Sequence, residues 1–278
     1  MDLNLAKQKL AAAQNKGKAN TYEKVDYSKI FWKPKPGKHV IRILPCKYDK
    51  SWPIREVYLH YGFAKFPILA LSNWGEQDPI VDFAKSLRKS SDKEDWQLAK
   101  KVEPKARFFA AVIVRGEEHL GARLWEFGKL TNDQLLGIAA DEDYGDFTDI
   151  TDGRDFTVDA VEEVIAGRKG VKCTLRVKPK TSPISEDSAL VEKVLNEQPD
   201  ILTINRKFTY DALKETLTKW LNPEDESETE TPIVTEATDE EAKDDFIEEL
   251  SKPVPAYTVD EKAAKTKAAD KFNDLFKD

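Results

Sequence analysis

The chain has 278 residues, 34% of them charged and 40% hydrophobic, with a net charge of −7. Such a composition suits a globular core carrying an extension better than a chain packed end to end. The longest apolar run, 108–114, has seven residues against the ~20 of a membrane-spanning helix, and the N-terminus lacks both the apolar stretch of a secretory signal and the Arg and Ser richness of a transit peptide, so a cytoplasmic location without membrane association is expected.

The net charge conceals a split. Residues 1–20 hold one acid, Asp2, against Lys7, Lys9, Lys16 and Lys18, and are expected to form a basic arm. Residues 224–278 hold 18 acidic groups against 7 lysines, a net −11, which leaves 37 basic and 33 acidic groups, or +4, for residues 1–223. With so few apolar groups to offset its chain entropy, most of 224–278 is expected to be a disordered acidic tail. Its last residues place Phe272, Leu275 and Phe276 at helical spacing, the pattern of a peptide that docks in a partner's groove. The core is therefore placed at 21–223.

Strands are expected where apolar and polar residues alternate: 39–45, 54–61, 107–115, 122–128, 155–160 and 170–179. In 170–179 the alternation puts Val171, Cys173, Leu175 and Val177 on one face, with Lys172, Thr174, Arg176 and Lys178 on the other. Five or six short strands suggest a small β-barrel, and helices are inserted between them. Residues 78–89 read as a helix with Asp78 as N-cap and Pro79 at its first position. Thr131 and Gln134 form a capping box, and further helices are expected around 190–195 and 210–221. The fold class is thus α+β, a small barrel with helical insertions.

Catalytic and metal chemistry find little support. Three histidines, His39, His60 and His119, are far apart in sequence. Cys46 and Cys173 can form one disulfide at most, cannot supply a Cys-rich zinc site, and are expected as buried free thiols. GxGxxG, P-loop and GxSxG patterns are absent. No enzyme activity, cofactor or metal is expected.

Basic residues interleave with aromatics instead. Lys100, Lys101, Lys105 and Arg107 lead into Phe108 and Phe109, Arg115 closes that strand, and Arg123, Trp125, Phe127 and Lys129 line the next. Single-stranded nucleic acid asks for this combination, because phosphates need cations and unstacked bases need flat apolar partners. An ordinary solvated sheet looks similar, since half the aromatics of any strand face a core. The acidic tail favours binding, because a polyanion beside a basic groove competes with phosphate.

The segments 33–54, 60–63, 96–114, 124–129, 141–156 and 171–178, in that order, resemble the gene 32 protein family, the single-stranded-DNA-binding proteins of large tailed phages. The resemblance implies an OB-fold core with an inserted subdomain at about 62–100, cooperative self-association through the basic arm (Lys7 and Lys9), and recruitment of replication, recombination and repair proteins by the acidic tail. It implies base stacking by Phe108, Phe109, Trp125 and Phe127, and phosphate contacts by Arg42, Lys47, Lys101, Arg107, Arg115 and Lys129. It departs from the family at the zinc site, where Asp78 and Val81 stand in place of cysteines. A metal-free core of Phe63, Phe66, Ile68, Leu69, Leu71, Trp74, Ile80, Phe83 and Leu87 is expected there. The arm also lacks the family's Lys/Arg-Ser-Thr motif. The expected function is sequence-nonspecific coating of single-stranded DNA, with RNA not excluded; the alternative is an interaction adaptor acting through the tail.

Overall fold

The β-branched and aromatic run KARFFAAVIV forms β5 (Lys105–Val114), and the sheet is built around it. The computed structural model describes residues 27–165 and 168–222, together with Ala268, Ala269, Lys271, Phe272 and Leu275. The basic arm with Lys7 and Lys9, most of the acidic tail, and Phe276 lie outside the described residues.

One edge of β5 pairs antiparallel with β6 (Arg123–Phe127). The other edge is shared, its first half by β3 (Ile54–His60) and its end by β2 (Gly37–Ile43). β7 (Arg154–Ile165) and β8 (Arg168–Thr181) follow β2, also antiparallel. The two-residue strands β1 (Phe31–Trp32) and β4 (Ile68–Leu69) pair with β6 and β3, the former in parallel. Around this mixed sheet the described residues form helices α1 (Tyr27–Ile30), α2 (Pro79–Arg88), α3 (Lys93–Val102), α4 (Lys129–Ala139), α5 (Ser188–Asn196), α6 (Ile201–Ile204) and α7 (Tyr210–Leu221).

The α+β class is as expected, but the sheet is open. Its main path runs β1-β6-β5-β2-β7-β8, and the two ends do not pair with each other. Helix α4 packs against β5 and β8 and contributes Leu135, Ile138 and Ala139 to the core. Side chains thus fill a flank that strand pairing fills in a closed barrel. The β7–β8 hairpin is also longer than the expected strands, because its outer half leaves the core: Val161 and Val164 are 57% and 67% exposed. Residues 161–164 are all exposed, and the alternation that marks a half-buried strand stops at Val161 while the backbone pairing continues. On β8 the expected faces are correct where the core lies beneath, since Leu175 is buried and Cys173 and Val177 pack against it. Both cysteines are free and half-buried rather than enclosed.

Local helix signals transfer well. Asp78 caps α2, its Oδ1 accepting from the amides of Ile80 (2.9 Å) and Val81 (3.2 Å), and Pro79 stands at the first helical position. The other oxygen, Oδ2, accepts from Leu71 N at 2.8 Å and lies 3.0 Å from His60 Nε2. The capping box at Thr131 does not form; α4 starts earlier, with Gly128 as its N-cap. α3 gave no signal of comparable strength, although Asp92 caps it. Among the described residues no helix is long and apolar enough to cross a membrane.

The insert between β4 and β5 has an apolar core. Ile68, Leu71, Ile80, Phe83 and Leu87 are buried together, as expected, with Leu98, Ala99 and Val102 of α3 and Leu213, Leu217 and Leu221 of α7. Phe63 and Trp74 pack against this cluster, whereas Leu69 joins the sheet and Phe66 is exposed. A helix from the far end of the core thus completes the insert.

Burial of the Asp78 carboxyl raises its pKa, but hydrogen bonding and charge from His60 and the amides of Leu71 and Val81 outweigh this and hold it below the usual aspartate range. A carboxyl whose folded pKa is depressed stabilises fully above its unfolded value of ~3.9 and loses that contribution as pH falls through the folded value. Asp78→Asn is therefore expected to cost about 1–3 kcal/mol at neutral pH. Urea unfolding should show the gap narrowing below pH ~4; a pH-independent gap contradicts the assignment.

Candidate nucleic-acid interface

Cross-strand register decides which aromatics can meet a ligand. Tyr58 pairs with Ala106, Glu56 with Phe108 and Ile54 with Ala110, and on the other side of β5, Phe108 pairs with Phe127 and Ala110 with Trp125. Directly paired residues share a face, so Ile54, Glu56, Tyr58, Phe108, Trp125 and Phe127 all project from one side of the sheet. Burial falls steadily along it. Ile54, Trp125 and Phe127 are enclosed, Phe108 is half-buried, and Glu56 and Tyr58 are exposed.

An aromatic series follows the same gradient. Trp32 meets Trp125 edge-on at 5.6 Å, Trp125 meets Phe127 at 4.6 Å, and Phe127 is stacked with Phe108 at 6.3 Å and 16°. Trp52, partly buried, packs against the same core. The core thus fixes Phe108 from behind and leaves its outer part open. Phe108 and Tyr58 on rigid strands, with Trp52 of the adjoining loop packed against the same core as Phe108, form an aromatic shelf, and aromatic faces held in this way offer stacking at little entropic cost. The Tyr58 hydroxyl donates to Glu56 Oε1 at 3.0 Å, a bond that raises the phenol's pKa and occupies the one carboxylate on the shelf.

Cations border it. The last turn of α3 carries Lys100 and Lys101, and only Glu103 and Pro104 separate the helix from β5, so these lysines stand near the end of β5 where Ala106 pairs with Tyr58 of β3. Lys101 is exposed. Lys129 is exposed just beyond Phe127, with Asp133 Oδ2 3.1 Å from its ammonium. Lys50, two residues before Trp52, is exposed. Lys47 is exposed too, but its ammonium donates to the Asn196 carbonyl at 2.6 Å, while its amide and the Tyr48 hydroxyl bond Gln198. These contacts fasten loop 44–53 to the segment between α5 and α6.

The remaining expected site residues go elsewhere. Phe109 and Arg107 alternate with Phe108 and occupy the opposite side of β5. There Phe109 is buried with Val57, Leu124 and Ile201, and Arg107 Nε donates to Glu126 Oε1 at 2.8 Å. Trp125 and Phe127 are core, 1% and 2% exposed; they support Phe108 from below and have no face to offer a base.

Arg42 and Arg115 are structural. Arg42 is fully buried. Its Nε donates to Asp155 Oδ1 at 2.9 Å, and one terminal nitrogen donates to the Ser182 carbonyl at 2.7 Å, the Ser182 hydroxyl at 2.8 Å and the Gly153 carbonyl at 3.3 Å. Arg115 reaches both oxygens of the same carboxylate, at 2.9 and 3.1 Å, and the carbonyls of Ile184 and Pro183. Two guanidinium groups on one carboxylate tie β2, the end of β5, the start of β7 and segment 182–184 into one knot. Burial draws the Arg42 pKa down, against the pull of Asp155. Gly153 makes room for the knot, because a Cβ there would sit 2.4 Å from the Asp149 carbonyl and 2.9 Å from Arg42 Nη1.

The docking residues expected in the tail also divide. Phe272 is 5% exposed, buried in the insert's own cluster, whereas Leu275 is 42% exposed. Sequence reasoning passed over Trp52 and Tyr58, although strict alternation in IREVYLH was the signal that placed Tyr58 on the face of Glu56.

No curated protein matches the chain. The model of the family described as gp32 DNA binding protein like matches residues 35–222, from β2 to the end of α7 and so through the whole shelf, the knot and the insert. The chain belongs to the gp32 DNA binding protein like family.

Proposed function

We propose that the protein binds single-stranded DNA without sequence preference. In this reading Trp52, Tyr58 and Phe108 stack bases, and Lys50, Lys101 and Lys129, with Lys47 at the fastened loop, meet phosphates. The observation that carries it is the half-buried Phe108 at the open end of an aromatic series, beside the basic end of the insert, in a chain of this DNA-binding family. A duplex hides its base faces, so a shelf of this kind selects unpaired strands. Stacking supplies about 1–3 kcal/mol per base whatever the base. Roles in replication, recombination and repair, cooperative self-association through Lys7 and Lys9, and recruitment of proteins by the acidic tail belong to the same proposal. They rest on the family resemblance and on the charge of those segments.

Phosphate contacts release counterions, so affinity depends on salt. Four such lysine contacts predict that log K falls with log[salt] at a slope of about −3. Lys129→Ala should make the slope shallower by about 0.7. The check is a set of oligo-dT titrations across sodium chloride concentrations; a flat response argues against backbone contacts.

A further inference from the structure

The end of the acidic tail meets the body of the protein at a built site. Ala268 and Phe272 are buried in the cluster made by α2, α3 and α7, and the Phe272 ring meets Phe83 edge-on at 5.9 Å. Lys271 is paired with Asp95, a carboxylate that is only 7% exposed, and also lies 3.2 Å from Ser90 Oγ. Leu275 borders a depression lined by Asp82, Lys85, Ser86, Lys89 and Tyr210. Positions 268, 271, 272 and 275 fall on one side of a helix, the spacing by which an amphipathic helix lies in a groove. Ring packing and a shielded ion pair together fix both the register and the direction of the segment.

We propose that this groove on the insert is a docking site for an amphipathic helix of the form Ala-x-x-Lys-Phe-x-x-Leu, and that its resident occupant is the chain's own C-terminal segment, held in cis. Residues 223–267, with 15 acidic groups against 5 lysines, are then attached to the body at both ends. A partner that recognises Phe272 must first take the segment out of the groove. Tail recruitment is thereby coupled to the state of the insert. The inference stands apart from the DNA reading, since none of its groups belongs to the shelf.

Two measurements on the full chain test it. A labelled peptide of residues 265–278 should bind the Phe272→Ala chain roughly tenfold or more tightly than the wild-type chain, whose groove is already filled. Equal binding to both, or binding to neither, overturns the proposal. In the second, chymotryptic cleavage at Phe272 should speed up in Lys271→Glu and in Asp95→Lys and return towards the wild-type rate when the two are combined. A double variant cleaved as fast as the singles overturns the ion pair as the lock. Protection of Phe272 that grows with protein concentration overturns the assignment to the same chain.

Discussion

Replacing Arg42 with alanine is expected to cost about 3–5 kcal/mol of folding stability and to leave the affinity of the folded protein for single strands unchanged. The substitution removes a buried cation from between Asp155 and the carbonyls of Gly153 and Ser182. Arg115 remains on the carboxylate, so the acid is not left without a partner, but the carbonyls lose a donor in a place closed to water. Burying unpaired polar groups is expensive because nothing replaces their hydration. Arg42→Lys should recover little, since one ammonium cannot span a carboxylate, a hydroxyl and two carbonyls in the plane of a guanidinium. Urea unfolding read beside an oligonucleotide titration below the unfolding transition separates the two consequences. Normal stability with weakened binding would return Arg42 to the interface.

The double substitution Trp52→Leu, Phe108→Leu is expected to weaken binding of single strands by about 2–6 kcal/mol, from two stacking contacts of about 1–3 kcal/mol each. Leucine keeps apolar volume against the core cluster to which both side chains contribute, while it removes the flat π faces. The matched control is Phe109→Leu. Phe109 is next in sequence but lies on the other side of β5 among Val57, Leu124 and Ile201, so its loss should register as stability alone. A folded double variant with unchanged affinity removes the shelf from the account.

The neighbouring phenylalanines show how far sequence carries the reading. Alternation establishes that Phe108 and Phe109 face opposite ways, but nothing local says which of the two sides is left partly open. The answer lies in where α4 and α6 settle, α6 over Phe109 and α4 over the far end of the other side. Arg42 makes the same point more strongly. In HVIRILP it reads as the polar position of a half-solvated strand, yet its carboxylate partner is 113 residues away. Asp78 was legible as a cap because capping is decided within three residues, and α7 because its leucines recur at the helical period. α3 was harder to see, since one of its buried positions is the polar Asp95 and Trp96, its one large aromatic, is exposed. The open sheet could not be read from strand count, because closure depends on whether α4 or another strand occupies the flank beside β8. The tail's Phe272 was recognised as a docking residue by its spacing, but its groove needs α2 and α7 brought together from distant parts of the chain.

The most direct test is a titration of the purified chain with oligo-dT at low and moderate salt, following fluorescence from its six tryptophans. Trp52 stands on the shelf, whereas Trp32 and Trp125 are enclosed beneath it. The account predicts saturable quenching that weakens with salt and is largely lost in Trp52→Phe, a variant that keeps a stacking face and should still shift oligo-dT in a mobility assay. No quenching and no mobility shift with the wild-type chain would contradict it.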